Sequence, residues 1–200
     1  DKTVSIAYDQ NTIVRISKLA SEALSINITK DDLFGKDACL FTESNLHLPE
    51  KPYIVFVIGS TWESRKYSKE KFAQVANEIK KKCIVIWGNE KEKNIANWIH
   101  SKSKYAQLAP KLEIDDLKRL IGNSSLLIGN DTGPSHMSWA LNIPSIVLFG
   151  PTPIERMFLT NINKGIKSSS NINHFKLNKN DFSINEISVN EIVKIAKQLL

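Results

Sequence analysis

The chain has 200 residues, 42% of them apolar and 24% charged, an ordinary balance for a globular protein with a genuine core. Its net charge of +6 is spread along the sequence, with only short runs such as Lys80-Lys81-Lys82, so a nucleic-acid-binding stripe is not expected and small anions or an anionic membrane surface are. No stretch is long and apolar enough to span a bilayer and no signal peptide opens the chain, so the cytosol is the expected location.

Opening at Asp1 rather than at a methionine, the sequence is read as a candidate piece of something longer. Residues 1 to 48 hold one amphipathic helix, Ile13 to Leu24, without a sheet of its own. From residue 52 the pattern turns regular. Tyr53 to Ile58 is a continuous apolar, β-branched run, of the kind found in strands buried on both faces. Ser68 then caps a helix whose inward positions are Phe72, Val75, Ala76 and Ile79. A second buried run, Cys83 to Trp87, precedes a helix near Glu90 to Ser101. After a loop at Ala109-Pro110, a short helix carries Ile114, Leu117, Leu120 and Ile121. The strand Leu126-Leu127-Ile128 leads to a helix near Pro134 to Leu141, and Ile146 to Phe149 is the fourth strand. The Asn- and Lys-rich stretch from about 160 to 185 has weak periodicity, and a closing helix runs from about Val189 to Leu200. Four strand–helix alternations predict a Rossmann-like, doubly wound parallel α/β sheet over residues 49–185, with residues 1–48 as a connector and 186–200 as a closing helix.

Gly59, Gly88, Gly129 and Gly150, half of the eight glycines, each directly follow a predicted strand. Ligands of open α/β sheets bind beyond the carboxyl ends of the strands, so this rim is where a site is expected. Cys39 and Cys83 are far apart and Cys83 begins an apolar run, which predicts a buried thiol; neither they nor the four scattered histidines have zinc-site spacing.

Three segments carry candidate chemistry. In Gly129 to His136, Pro134 suits the first turn of a helix with Gly133 capping it, which would leave the Ser135 and His136 amides for an anion. Thr132 adds a hydroxyl, His136 a donor, and Asp131 an acceptor for sugar hydroxyls or a brace for the loop. The same residues also suit a capped helix without a ligand. In Gly59 to Tyr67, the hydroxyls of Ser60 and Thr61 precede the cations Arg65 and Lys66, a set able to neutralise a diphosphate or simply to form a solvated basic loop. In Trp87 to Glu92, Glu90 and Glu92 either offset a helix dipole or face ribose hydroxyls. Dinucleotide and P-loop glycine fingerprints are absent, as is an Asp-x-Asp pair for a metal-bridged diphosphate.

Taken together, Asp131-Thr132-Gly133-Pro134-Ser135-His136, Ala140-Leu141-Asn142-Ile143-Pro144 and Leu148-Phe149-Gly150-Pro151-Thr152 resemble the ordered signature of the bacterial lipopolysaccharide heptosyltransferases, glycosyltransferase family nine. The resemblance covers about residues 52 to 157 plus the closing helix, and it implies the C-terminal, donor-binding domain of a two-domain GT-B enzyme that uses ADP-heptose. On that resemblance Ser60 and Thr61 meet the diphosphate, and Arg65 stands where the family has lysine, with Lys66 as a rival. Glu92 matches the ribose-binding glutamate, with Glu90 as a rival, Leu112 lines the adenine slot, and Asp131, Thr132, Gly133 and His136 hold phosphate and heptose. The pattern Tyr8…Asn11…Arg15…Leu19 leans toward the heptosyltransferase I branch. The family's catalytic base is an aspartate of the N-terminal domain, so this chain alone is expected to bind ADP-heptose without transferring it to a lipid A–Kdo acceptor at the inner membrane surface. No cofactor and no nucleic-acid partner are implied; a divalent-ion requirement and the oligomeric state are left open. Another nucleotide-sugar enzyme of GT-B form, or a non-catalytic nucleotide-sugar-binding module, are the competing readings.

Overall fold

The computed structural model describes residues 3–7 and 10–200, so Tyr8 of the Tyr8…Leu19 pattern lies outside the described residues. Six parallel strands form one sheet: β1 (Tyr53–Val57), β2 (Lys82–Ile86), β3 (Ala106–Leu108), β4 (Leu126–Asn130), β5 (Ser145–Phe149) and β6 (Asn163–Lys167). Their spatial order is β3-β2-β1-β4-β5-β6. That order is the doubly wound one, and it reverses direction between β1 and β4, where a crevice opens at the carboxyl ends of the strands.

The helices follow from caps and periodicity. In the first part of the chain α1 spans Thr12–Leu24 and α2 spans Lys30–Phe34. Helix α3 (Lys69–Ile79) starts where Ser68 Oγ accepts the Lys71 amide at 3.2 Å, and it buries Phe72, Val75, Ala76 and Ile79. Asn89 caps α4 (Glu90–Lys102) by accepting the Glu92 amide at 3.0 Å. Helix α5 (Ile114–Gly122) buries Leu120 and Ile121. Helices α6 (Gly133–Ala140) and α7 (Val189–Leu199) complete the set, α7 burying Ile192, Val193 and Ala196 as its spacing predicts.

The core has two main layers, one on each face of the sheet. Ile54, Phe56, Cys83, Val85, Leu126, Ile128, Ile146 and Leu148 pack under α3, α4 and α7. Tyr53, Val55, Val57, Ile84, Ile86 and Leu127 pack under α5 and α6 on the other face. Burial on both faces is why these strands read as unbroken apolar runs. Burial also pushes the Cys83 thiol up to about 12, in keeping with a buried, inert side chain.

Two strands escape the sequence reading. β3 is three residues long with only Ala106 fully buried, and it lies in the segment expected to be a loop before Ala109-Pro110. β6 lies in the Asn- and Lys-rich stretch that shows no periodicity; it pairs only with β5 and carries Lys164 and Lys167. Both are edge strands, where short length and charge discourage pairing with other chains.

The first part of the chain is fastened to the sheet domain by polar contacts. Asn11 caps α1 and its Nδ2 donates to the carbonyls of Glu155 (3.0 Å) and Met157 (2.6 Å). The Cys39 amide donates to Ala140 O at 2.9 Å, and Thr42 and Ser44 bond the Asp115 and Asp116 side chains. No residue of α1 is buried.

Candidate functional site

The crevice between β1 and β4 is lined by the segments that follow them. A cleft of about 390 Å³ brings together Gly59, Ser60, Thr61, Gly88, Asn89, Glu92, Leu112, Thr132 and Pro134, with Ile86, Trp87, Ile114 and Leu117 as its apolar wall. Five of the residues singled out from sequence meet here: Ser60, Thr61, Glu92, Leu112 and Thr132. Ile114 is 64% exposed at the mouth, an unusual place for isoleucine unless an apolar surface is to be covered.

The polar side of the cleft is unsatisfied. Ser60 Oγ is buried and has no hydrogen-bond partner. Thr132 is the N-cap of α6, yet its hydroxyl makes no capping bond. Buried hydroxyls are normally paired, and one left without a partner marks a place where a ligand or water is to be received. Gly133, the first residue of α6, has open space where a Cβ would stand, so its amide can be approached closely.

The helix start differs from the expectation in one respect. Thr132, not Gly133, is the N-cap, so α6 begins one residue earlier. As a result the Ser135 and His136 amides are not left over; both donate to Thr132 O, at 3.0 and 3.3 Å. Gly133, ahead of Pro134, has open space beside it, and its neighbours Thr132 and Pro134 both line the cleft. Ser135 instead locks the turn by donating from Oγ to Asn130 O at 2.6 Å.

Glu92 and Glu90 are separated by the geometry. The Gly88 amide donates to Glu92 Oε2 at 2.8 Å, and the carboxylate lies over Gly59, where an added Cβ would meet Oε1 at 2.6 Å. Glu90 points outward, 77% exposed, toward Lys93 at 3.4 Å. The cations separate likewise. Lys66 pairs with Glu63 at 2.5 Å. Arg65 is buried, its guanidinium stacks on Trp62 at 3.9 Å, and its Nε has no partner. Burial lowers the Arg65 pKa, opposed by the Asp131 charge and reinforced by Arg156.

Asp131 is a brace rather than an open acceptor. It is 3% exposed; Oδ1 lies 3.0 Å from His136 Nε2, and Oδ2 accepts from Thr152 Oγ1 at 2.8 Å with Arg156 Nε at 3.8 Å. Burial pushes its carboxyl up, but the hydrogen bonds from His136 and Thr152 and the charges of His136 and Arg156 together hold it below the usual carboxylate value. His136, held in this way, lines a small neighbouring cleft together with Arg156, Trp139 and Thr12. Thr152→Val is expected to cost about 1–3 kcal/mol, because a buried carboxylate loses a donor. A folded-state pKa below the unfolded one gives stability that is complete above about pH 4 and lost as the pH falls through the folded value. The deficit of the variant, measured by urea unfolding, is therefore expected to be largest near neutrality and to shrink in acid.

Several contributors were not picked out from sequence. Asn130, wholly buried, donates to Ile58 O (2.7 Å) and accepts the Tyr67 amide (3.0 Å), clasping the segment after β1 to β4. Thr152 and Arg156 complete the Asp131 network. Two of the four rim glycines turn out to serve packing instead of a ligand. At Gly129 an added Cβ would stand 2.4 Å from Val57 Cβ, and at Gly150 it would stand 2.6 Å from Ile184 Cβ.

A second cleft, also about 390 Å³, is lined by Arg15, Trp62, Arg65, Glu155, Arg156 and His174 among others. Among the described residues no group of three or more His, Cys, Asp or Glu side chains is arranged to hold a metal ion, and no helix is long and apolar enough to cross a membrane.

Residues 1–185 match the model of glycosyltransferase family 9 (heptosyltransferase). The whole chain is similar to lipopolysaccharide heptosyltransferase 1 of Campylobacter coli, at 34% identity and over 64% of that protein's length. The fold is that of the Escherichia coli heptosyltransferase WaaC solved with ADP-2-deoxy-2-fluoro heptose, with a TM-score of 0.72 at 16% identity over all of this chain and 59% of that one. It is also similar to the dodecameric iron-containing heptosyltransferase TibC in complex with ADP-D-β-D-heptose, with a TM-score of 0.58 at 15% identity over 78% of this chain and 47% of that one. The chain therefore spans less than two thirds of the length of each of these proteins.

Proposed function

This chain belongs to glycosyltransferase family 9, the heptosyltransferase family, and from that premise we propose that it is the donor-binding part of an inverting transferase that moves heptose from ADP-heptose to the Kdo–lipid A inner core. Fold alone would not carry this, since doubly wound sheets serve many chemistries. The observation that carries it is the cleft at the β1–β4 reversal: an apolar wall on one side faces unengaged hydroxyls and an open helix amide on the other. That pairing suits a nucleoside diphosphate.

On this reading the adenine lies against Leu112, Ile114 and Leu117, and Glu92 receives the ribose hydroxyls. Ser60, Thr61, Thr132 and the Gly133 amide hold the diphosphate at the positive end of α6. Arg65 supplies the neighbouring positive charge, since Lys66 is already paired with Glu63. Asp131 orients His136 toward the transferred sugar. These donors would stabilise the charge that develops on the departing ADP. ADP-heptose is thus a substrate, with no organic cofactor in the scheme.

The relatives named as heptosyltransferases are longer than this chain, and we place the general base and the acceptor's main footing in the remainder of such a protein. Residues 49–185 are then the nucleotide-sugar unit, 186–200 its closing helix, and 1–48 the connector and the tail of the acceptor domain. The setting is the cytoplasmic face of the inner membrane.

Gly133→Leu provides a test that leaves the fold intact. Nothing lies within 4 Å of the added Cβ, so stability is expected to change by less than about 1 kcal/mol. The side chain would occupy the diphosphate's place, and calorimetry is expected to show ADP binding weakened at least about tenfold, or about 1.4 kcal/mol. Unchanged ADP affinity in a stably folded variant would remove the diphosphate from this position.

A further inference from the structure

The net charge of +6 is scattered along the sequence, but the fold gathers much of its positive part in one place. Because β1, β2 and β3 run parallel and adjacent, the segments that lead into them meet at one corner of the sheet, at the strands' amino ends. Lys51 precedes β1, Lys80, Lys81 and Lys82 lead into and begin β2, and Lys102 and Lys104 precede β3. These segments are tied together. The Cys83 amide donates to Tyr105 O at 2.8 Å, Lys82 Nζ to Glu50 O at 3.0 Å, and Asn77 Nδ2 to Lys102 O at 3.2 Å. Six lysines thus share a corner with two glutamates, Glu50 and Glu78.

The protein does not neutralise this charge. Among the described residues none of the six lysines forms an ion pair, whereas Lys66, Lys69, Lys93, Lys118 and Arg156 each stand within 4.0 Å of a carboxylate. Helices α3 and α4 end at this corner, but the negative end of a helix dipole amounts to about half a charge and is met by Lys80 and Lys102. Lys51, Lys81 and Lys104 are exposed and remain over.

The chemistry of the corner favours a bilayer over other polyanions. Its cations are all lysines; no arginine, whose planar fork selects particular phosphates and bases, lies in these segments. Trp98 and Tyr105 stand half-buried beside them. Lys69 and Lys102 lie over the Trp98 ring at 4.7 and 5.8 Å, and Lys104 over the Tyr105 ring at 5.3 Å, so neither ring is free to stack a base. Ammonium groups set around half-buried aromatic rings match the headgroup level of an anionic membrane.

We propose that this corner docks the chain on the anionic phospholipid headgroups of a membrane. The choice of a membrane rests on the reading of the acceptor as a membrane lipid. With the β3 edge against the bilayer the strands run along its surface, so the donor cleft at their carboxyl ends stays level with the headgroups and open to a membrane-borne acceptor.

The test is co-sedimentation of the chain with vesicles of phosphatidylcholine alone and of equal parts phosphatidylcholine and phosphatidylglycerol, at low and at physiological salt. Binding is expected only to the vesicles with phosphatidylglycerol, and it is expected to weaken as salt rises. A lysine at such a surface contributes about fivefold in partitioning, so Lys81→Gln, Lys102→Gln and Lys104→Gln combined are expected to lower binding on the order of 100-fold. Arginine at the same three positions is expected to preserve it. So is the combination of Lys167→Gln, Lys176→Gln and Lys194→Gln, which removes the same charge from exposed lysines elsewhere. Equal loss in the two glutamine variants, equal binding to phosphatidylcholine alone, binding to neither vesicle, or tighter corner-dependent binding of a random oligonucleotide would each overturn the proposal. Unchanged ADP affinity is expected in the Lys81, Lys102 and Lys104 variant, which also shows that it is folded. The vesicle measurement needs neither ADP nor acceptor, so its failure strikes this surface alone, and failure of the parent to bind ADP strikes the donor reading alone.

Discussion

An Arg65→Gln variant is expected to bind ADP about 30- to 150-fold more weakly than the parent, while AMP affinity falls far less. The buried guanidinium has an unpartnered Nε and follows Ser60 and Thr61 on the same segment after β1, so on the proposed reading a diphosphate held by those hydroxyls would complete its hydrogen bonding. Charge-assisted bonds of this kind contribute about 2–3 kcal/mol, which sets the expected factor. Glutamine keeps most of the stem that packs on Trp62 but removes the charge, so lost packing is a small part of the effect. Calorimetric titration of both nucleotides against both proteins checks this. Equal losses for AMP and ADP would mean that Arg65 acts through the fold, and no loss for either would move the diphosphate away from it. The same titration with Lys66→Gln is expected to show little change, because Lys66 is held by Glu63 at 2.5 Å.

Gly129→Val is expected to destabilise the domain by about 3 kcal/mol or more and to do so whether or not nucleotide is present. Even the first added carbon would lie 2.4 Å from Val57 Cβ and 2.8 Å from Val57 O, so the collision is partly with backbone and cannot be relieved by turning a side chain. Val57 and Gly129 face each other in the β1–β4 ladder, at the point where the sheet reverses. Forcing these strands apart strains the centre of a close-packed core, for which overpacking costs of about 1–3 kcal/mol are usual and larger ones occur. Urea unfolding followed by circular dichroism gives the measurement. A variant as stable as the parent would mean that β1 and β4 are not adjacent in this register. Gly133→Leu makes the contrast, since the same kind of enlargement meets open space there.

How much of this was legible in the sequence depended on burial. The four central strands were visible because Tyr53–Val57, Lys82–Ile86, Leu126–Asn130 and Ser145–Phe149 lie between helices on both faces and must be apolar almost throughout. β3 and β6 carry no such signature; each pairs on one side only, with Gln107 and Lys167 exposed and Lys164 half-buried. Helix α1 was legible from its periodicity, but its anchor was not, because the Asn11 side chain reaches carbonyls of Glu155 and Met157, more than 140 positions away.

The site divides in the same manner. Hydroxyls and glycines placed just after strands declared themselves, since the sheet topology alone brings Ser60, Thr61 and Thr132 to one rim. What stayed hidden were polar clasps between distant segments, Asn130 to Ile58 and Tyr67, and Asp131 to Thr152, for which neither partner's type signals the other. The α6 start was misplaced by one residue because glycine and threonine are both acceptable caps. That single step decides which amide remains for a ligand, and it moves the expected anion contact from Ser135 and His136 to Gly133. The choices between Arg65 and Lys66, and between Glu92 and Glu90, could not be made from order in the chain, since each pair differs only in which member turns inward.

A crystal structure of the chain soaked with ADP examines the donor cleft without intermediaries. The account predicts the adenine against Leu112 and Leu117, and phosphate oxygens within about 3.2 Å of the Thr132 hydroxyl and the Gly133 amide. Nucleotide bound on another face of the sheet, or with its phosphates turned away from the opening of α6, would contradict it.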